Sequence, residues 1–202
     1  ITVSGNTKYT ASVFLKADGE NWARLVAGNY DGASGGGVFF DLSTGTIGDE
    51  TAGFDSAIEE YPNGWYRCSI TWTQGSSPPD TSFNFRIFVA DSISNATVDL
   101  DGTSSIFVWA AQVELGTIAT SYIPTTTASV TRNKDDITLG SASSLIGQTE
   151  GTLYVEVDFR QTGAEQRILQ VSDGTGSNRI IIYADTTNTV MVFSVGGSTV
   201  AG

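Results

Sequence analysis

The sequence is most informative at residues 109–116, which read WAAQVELG. Polar and apolar side chains alternate there, and Gly116 ends the pattern, as in a β-strand closed by a turn. Two segments follow, TSYIPT at 120–125 and VTRNKD at 130–135. Pro124 favours extended backbone over helix, and the charges mark an exposed exit. The stretch therefore predicts the last strand of a β-domain and then a connector.

Upstream of this strand, the same alternation recurs between turn signals, one of which is the sharp turn Pro62-Asn63-Gly64 before the strand pattern at 65–73. Strand patterns occupy residues 8–17, 22–28, 38–42, 65–73 and 83–90, and the final strand spans 105–115. Only 16% of the residues are charged, 23 are glycine, and no window has helical periodicity. With the short segment at the start of the chain, these features predict an all-β, antiparallel sandwich of about seven strands.

A second β-unit follows the first domain. We assign residues 1–117 to the first domain, 118–149 to an extended linker and 150–202 to the second unit. Alternation restarts at Gly151, with Leu153, Val155, Val157 and Phe159 on one face, and continues at 168–171, 179–184 and 189–195. The pattern stops at Gly202, which predicts an incomplete sandwich. Unpaired strand edges invite pairing with another chain, so we expect a homo-oligomer or a larger parent protein.

Composition excludes several classes of site. The formal net charge is −12, which disfavours nucleic-acid binding. No histidine is present, so His-based triads and His metal sites are excluded. Cys68 is the single cysteine, and its position in an alternating strand predicts a buried structural thiol. No apolar run approaches the roughly 20 residues of a membrane span, so no membrane insertion is expected.

Four segments of the first domain resemble, in order, the jelly-roll modules of bacteriophage tail and fibre proteins. They are TKYTASVFLKA (7–17), VFFDLSTG (38–45), GWYRCSITWT (64–73) and residues 106–125. The pattern also resembles, more loosely, jelly-roll carbohydrate-binding modules, and residues 150–202 resemble the start of a concanavalin- or laminin-G-like domain. The resemblance implies a jelly-roll sandwich on the virion, contacting other virion proteins. Members of this family usually have a further strand or two before the segment that matches Ile1.

Sorting side chains by alternation suggests a carbohydrate-binding surface on one sheet. Its candidate residues are Trp22, Arg24, Arg67, Arg86, Phe88, Gln112 and Glu114, with Phe14 and Lys16 nearby. Flat aromatic rings stack on the C–H faces of sugars, and planar polar groups bind the hydroxyls. The alternative is that Arg67, Arg86 and Glu114 form cross-strand ion pairs on a face covered by a neighbouring domain. Trp72 and Trp109 fall on the apolar side and are predicted to lie in the core.

Two weaker candidates lie in loops. Tyr30, beside the glycine-rich residues 32–37, could line an adaptable ligand edge. Asp99 and Asp101 have a spacing that suggests Ca²⁺, and further hard oxygen ligands are available at Asp41, Asp49, Glu50 and Asp55. Most Asp-Gly pairs are plain turns, however, and the EF-hand pattern is absent. Calcium is thus the one cofactor that the sequence suggests.

Catalysis is not expected. The adjacent Glu59 and Glu60 would point to opposite faces of a strand, so they could not flank one glycosidic bond. The leading hypothesis is a non-catalytic module of a phage tail or fibre that binds host-surface or environmental polysaccharide. The alternative is a purely architectural virion module that makes protein–protein contacts. A lower alternative is a fragment of a polysaccharide-degrading enzyme.

Overall fold

A computed structural model describes residues 2–30, 35–76, 82–98, 102–133, 137–141, 154–157, 166–184, 189–195 and 197–201. The chain divides into two compact units, Ile1–Val130 and Thr131–Gly202. The described residues contain strands, turns and one 3₁₀ turn, Pro62–Gly64, so the all-β prediction is confirmed. None of the helical segments in this part of the chain could cross a membrane.

Eight strands form the first unit. They are β1 (Lys8–Ala17), β2 (Trp22–Gly28), β3 (Gly36–Asp41), β4 (Thr46–Glu50), β5 (Asp55–Tyr61), β6 (Trp65–Thr73), β7 (Asn84–Ala90) and β8 (Ile106–Leu115). One antiparallel sheet has the order β5-β6-β1-β8, and we call it the front sheet. The other has the order β4-β3-β2-β7, and we call it the back sheet. Strands β4 and β5 were not predicted from the sequence.

The hydrophobic core lies between the two sheets, which gives the β-sandwich that the alternation predicted. The front sheet contributes Ala11, Val13, Leu15, Cys68, Ile70 and Trp72, and the back sheet contributes Ala23, Leu25, Ala27, Val38 and Phe40. Trp72 is only 1% exposed, as predicted. Cys68 is also buried, and burial raises the pKa of its thiol far above the usual range. A thiol in this environment is an inert packing group.

The prediction that Trp109 lies in the core is wrong, because a β-bulge interrupts β8. Ser12 pairs with Gln112 but Phe14 pairs with Trp109, so two residues of β8 stand opposite Val13 alone. Ala110 has a φ of 53° within this bulge. The extra residue inverts the alternation, so that Trp109 and Gln112 both face outward. Trp109 is 57% exposed.

The second unit contains one described sheet. Its strands are β9 (Gln166–Ser172), β10 (Arg179–Ala184), β11 (Thr189–Val195) and β12 (Ser198–Ala201), in the order β12-β11-β10-β9. The strand patterns predicted at 168–171, 179–184 and 189–195 correspond to β9, β10 and β11. Residues 154–157 are described but form no strand, and the rest of the pattern from Leu153 to Phe159 lies outside the described residues.

Candidate functional site

The predicted carbohydrate-binding residues do not share one surface. Trp22 and Arg24 lie on β2 and Arg86 and Phe88 on β7, in the back sheet, whereas Arg67 lies on β6 and Gln112 on β8, in the front sheet. Alternation along a strand tells which side chains share a face, but it does not tell which strands become neighbours. The predicted single surface is therefore wrong, and two separate faces have to be considered.

The back-sheet face combines arginine and aromatic side chains. Arg24 lies opposite Phe39 on one side and Phe88 on the other, so these three side chains point to the same face. The guanidinium carbon of Arg24 is 5.0 Å from the centre of the Phe39 ring, and that of Arg86 is 5.8 Å from the centre of the Phe88 ring. These distances are typical of cation–π contacts. Each arginine of this face is thus held by a contact with a phenylalanine ring of the same sheet.

The front-sheet face is partly covered by the segment that follows β8. Residues 116–123, which we call the strap, fold back over the outer side of the sheet. The hydroxyl of Thr10 is 3.0 Å from the carbonyl oxygen of Gly116, and the hydroxyl of Thr71 is 3.5 Å from that of Thr117. Thr10 and Thr71 also bond each other at 2.7 Å. The predicted linker from residue 118 therefore begins as a segment packed on the first unit.

Side chains of the front sheet hold the strap further along. Arg67 donates from Nη2 to the hydroxyl of Ser12 at 3.0 Å and to the carbonyl oxygen of Thr120. The carboxylate of Glu114 accepts bonds from the backbone N–H and the hydroxyl of Thr120. Arg67 is only 8% exposed. Arg67 and Glu114, which were predicted to lie on the ligand surface, therefore hold the strap instead. The layer that covers this part of the sheet is the strap, not another domain.

Beyond the strap, the front sheet carries an open aromatic pocket. It is lined by Phe14, Tyr61, Pro62, Trp65 and Trp109 and has a volume of about 320 Å³. Phe14 occupies the middle, with its ring centre 5.0 Å from that of Tyr61 and 5.2 Å from that of Trp109. The guanidinium carbon of Arg67 lies 5.5 Å from the centre of the Phe14 ring. We call this site the aromatic pocket.

Local structure explains why these rings meet. The turn Pro62–Gly64 joins β5 to β6, and its last two residues, Asn63 and Gly64, have φ values of 64° and 76°. Asn and Gly accept this conformation readily, which makes a tight hairpin. The turn brings Tyr61 and Trp65 together as a cross-strand pair. The bulge in β8 then turns Trp109 toward the same face.

The sequence reasoning missed this pocket, although it recognised the turn. Alternation along the strands puts Phe14 near the predicted surface and Trp65 on the same face of its strand as Arg67, opposite Cys68 and Ile70. Tyr61 lies in β5, whose pattern reads DSAIEEY and gives little alternation of apolar and polar residues. Ala110 gives no sequence signal for a positive φ, because that conformation is usual for glycine and asparagine. The pocket needs both Tyr61 and the bulge at Ala110, which turns Trp109 outward.

The other predicted sites have different outcomes. The Tyr30 ring packs on Phe54 at 5.0 Å and belongs to the edge of the core. Asp99 and Asp101 lie outside the described residues. Within the ranges that the structure describes, no group of three acidic or cysteine side chains could hold a metal ion. In the register of β5 and β6, Glu59 lies opposite Arg67 and Glu60 opposite Tyr66. The two carboxylates therefore point to opposite faces of β5, as predicted.

Asp41, one of the acidic residues considered for calcium, caps a turn. Its carboxylate accepts bonds from the Ser43 N–H at 2.8 Å, the Ser43 hydroxyl at 2.6 Å and the Thr44 hydroxyl at 2.8 Å. Burial by itself raises the pKa of Asp41, but the bonds from Ser43 and Thr44 together bring the pKa below its ordinary 3.8. The ionised form therefore stabilises the folded state.

Asp41→Asn is expected to lower the free energy of unfolding by about 1 kcal/mol at neutral pH. Because the folded pKa is depressed, the contribution of Asp41 is present above pH 3.8 and is lost as the pH falls through the folded value. Urea unfolding of both proteins at pH 7 and well below pH 3.8 should show the difference shrinking. Asp49→Asn, which removes an exposed charge, is the control. An equal loss of unfolding free energy in this variant would mean that the effect comes from net charge and not from the turn.

Comparison with known proteins adds no assignment. No protein-family model matches the chain, and no curated protein matches it significantly. The function therefore has to be argued from the two faces of the first unit.

Proposed function

We propose that the first unit is a non-catalytic carbohydrate-binding module and that the aromatic pocket is its ligand site. The observation that carries this proposal is the open cluster of Phe14, Tyr61, Trp65 and Trp109 around a cavity of about 320 Å³. Pockets for small ligands start near 300 Å³ and are mostly apolar. Aromatic rings at such a site offer flat apolar faces, which match the C–H faces of pyranose rings.

Polar groups at the margin of the pocket support the same ligand class. Lys16 is the cross-strand partner of both Trp65 and Phe107, so its side chain lies on the pocket face. Glu59 is the partner of Arg67, one position further along the same face. An ammonium and a carboxylate beside aromatic rings can bind sugar hydroxyls. Stacking then supplies affinity, and the polar margin supplies orientation.

The proposal extends to a place on a phage particle. The support is the resemblance of residues 7–17, 38–45, 64–73 and 106–125 to tail and fibre modules. A net charge of −12 is compatible with solubility at high copy number, as a repeated virion component requires. In this reading, the ligand is a host-surface or environmental polysaccharide, and the protein partners are other virion proteins.

A glycan array tests the proposal. Trp109→Ala is expected to lower the affinity of the bound glycan by tenfold or more, which corresponds to about 1.4 kcal/mol, because it removes the most exposed ring of the pocket. Tryptophan fluorescence can follow the titration, since Trp65 and Trp109 both line the pocket. Tyr154→Ala, an exposed aromatic of the second unit, is the matched control.

Two outcomes would contradict the assignment. If Trp22→Ala and Arg86→Ala abolish binding while Trp109→Ala does not, the ligand site is the back-sheet face. If the unmodified protein binds no glycan, the module is not a carbohydrate binder. Release of reducing ends from the polysaccharides on the array would instead favour the enzyme alternative.

An architectural role is the second candidate, and one specific observation favours it. Strand β8 is an edge of the front sheet, and it exposes Phe107, Val108 and Leu115. Exposed apolar residues on an edge strand commonly mark a protein contact. If the protein binds no glycan on the array and light scattering gives a mass above that of one chain, the architectural role is favoured. The same mass would support the homo-oligomer expected from the sequence.

A further inference from the structure

We infer that the aromatic pocket is one part of a longer aromatic surface that ends on Tyr122 of the strap, and that this surface takes an extended neutral glycan chain instead of a single terminal sugar. The inference rests on the proposed function, since it specifies the ligand of the same site. It is carried by the ring contacts, by the way the strap is held, and by the charges around the rings.

The ring contacts continue past the pocket without a gap. The Tyr61 and Phe14 ring centres are 5.0 Å apart, those of Phe14 and Trp109 are 5.2 Å apart, and those of Trp109 and Tyr122 are 5.7 Å apart. Tyr61 is 38% exposed and Tyr122 is 36% exposed, so both ends of the series are accessible. All four strands of the front sheet and the strap contribute residues to it. Such a surface is larger than one sugar ring needs.

The structure holds Tyr122 in place on both sides. The amide oxygen of Gln112 accepts the N–H of Ile123 at 2.7 Å, and the amide nitrogen of Gln112 donates to the carbonyl oxygen of Ser121 at 3.5 Å. The residues that flank Tyr122 are thus tied to one side chain of β8. A ring fixed before binding loses little entropy on contact with a ligand. Gln112 is therefore a positioning residue, which differs from the direct sugar contact predicted from the sequence.

The charges of the protein favour a neutral glycan over a charged one. The rings and the proline that line the pocket carry no charge. Arg67, the cation nearest to Phe14, already donates to Ser12 and Thr120. The whole chain has a net charge of −12, which repels polyanions at a distance. Among the described residues of the front sheet, Lys16 is the other cation at the margin of the pocket, and the carboxylate Glu59 lies on the same face.

The test is a length series of neutral oligosaccharides. Cello-, malto- and chito-oligosaccharides of increasing length, starting at the monosaccharide, are titrated against the full chain by tryptophan fluorescence. In the series that binds, affinity is expected to rise by tenfold or more between the monosaccharide and the longest oligomer, since further rings find further aromatic partners. In Tyr122→Ala that ratio is expected to fall to a few-fold. Tyr122→Phe keeps the ring and restores the ratio.

Each other result has a distinct meaning. A longest oligomer that binds no more tightly than the monosaccharide overturns the inference, as does an unchanged ratio in Tyr122→Ala. If none of the three neutral series binds and the array captures only anionic glycans, the inference is wrong while the proposed function stands. If the array captures nothing, the proposed function fails and the inference fails with it.

Discussion

Trp72→Ala is expected to lower the free energy of unfolding by about 3–5 kcal/mol, the range typical of a large aromatic removed from a core. Trp72 is the largest fully buried side chain of the described residues. Its ring lies 5.0 Å from Phe83 and 6.3 Å from Phe54, and its indole N–H donates to the side-chain oxygen of Gln74 at 3.1 Å. Alanine would leave a large cavity and would remove the hydrogen bond from the indole to Gln74.

Trp109→Ala is the matched control for this loss. Because Trp109 is 57% exposed, its removal is expected to cost less than about 1 kcal/mol. All four tryptophans of the chain precede residue 130, so fluorescence during urea unfolding reports on the first unit alone. Trp72→Phe should retain much of the packing and lose less than Trp72→Ala. Equal losses in Trp72→Ala and Trp109→Ala would place Trp109 in the core and would contradict the bulge.

The two tryptophans illustrate which part of the fold a sequence can predict. Both occur in strands with apolar neighbours two residues away, so period-2 alternation treats them alike. The alternation holds in β6, where no residue is inserted, and the strand bounds 65–73 are the same in the prediction and in the structure. It fails in β8 because one extra residue shifts the phase. Alternation is thus a reliable guide only up to the first bulge.

Sheet neighbours could not be predicted for a different reason. Strand β1 pairs with β8, which begins almost ninety residues later, and such pairings depend on the whole core instead of on local pattern. The predicted surface merged Arg24 with Arg67, although they lie in different sheets. What the local pattern did provide was the turn at Pro62–Gly64 and the outward direction of Trp65. The contributions of Pro62 and Trp65 to the aromatic pocket were therefore accessible from the sequence, whereas those of Tyr61 and Trp109 were not.

The packing of the strap on the front sheet could not be predicted from the sequence, because its partners there are polar. The hydrophobic residues of the segment 116–123, Ile118, Ala119, Tyr122 and Ile123, do not alternate with polar ones, so the period-2 pattern does not predict that the segment packs on the front sheet. Its buried partners on the sheet include Thr10, Arg67 and Thr71, all of which are polar. Buried polar groups require hydrogen-bond partners, and the strap supplies backbone carbonyls for them. From the sequence, Arg67 is expected either on an open ligand-binding surface or on a face covered by a neighbouring domain.

Arg67 joins the strap to the front sheet through the carbonyl oxygen of Thr120. We expect Arg67→Ala to lower the free energy of unfolding by about 3 kcal/mol, because hydrogen bonds to a charged group contribute about 1.5–3 kcal/mol each and the carbonyl oxygen of Thr120 would lose its donor. The strap should also become more open. Hydrogen exchange at residues 116–123 should accelerate, including at the Thr120 N–H that is held by Glu114.

Two further variants separate the causes. Arg67→Met keeps most of the volume but cannot donate hydrogen bonds, so it should reproduce the faster exchange of the strap with a smaller loss of stability. Arg86→Ala removes an exposed arginine from the back sheet and is expected to change stability by less than about 0.5 kcal/mol. Unchanged exchange in Arg67→Met would mean that Gln112 and Glu114 hold the strap without Arg67. In that event Tyr122 would stay fixed beside Trp109, since Gln112 alone binds the backbone on both sides of it.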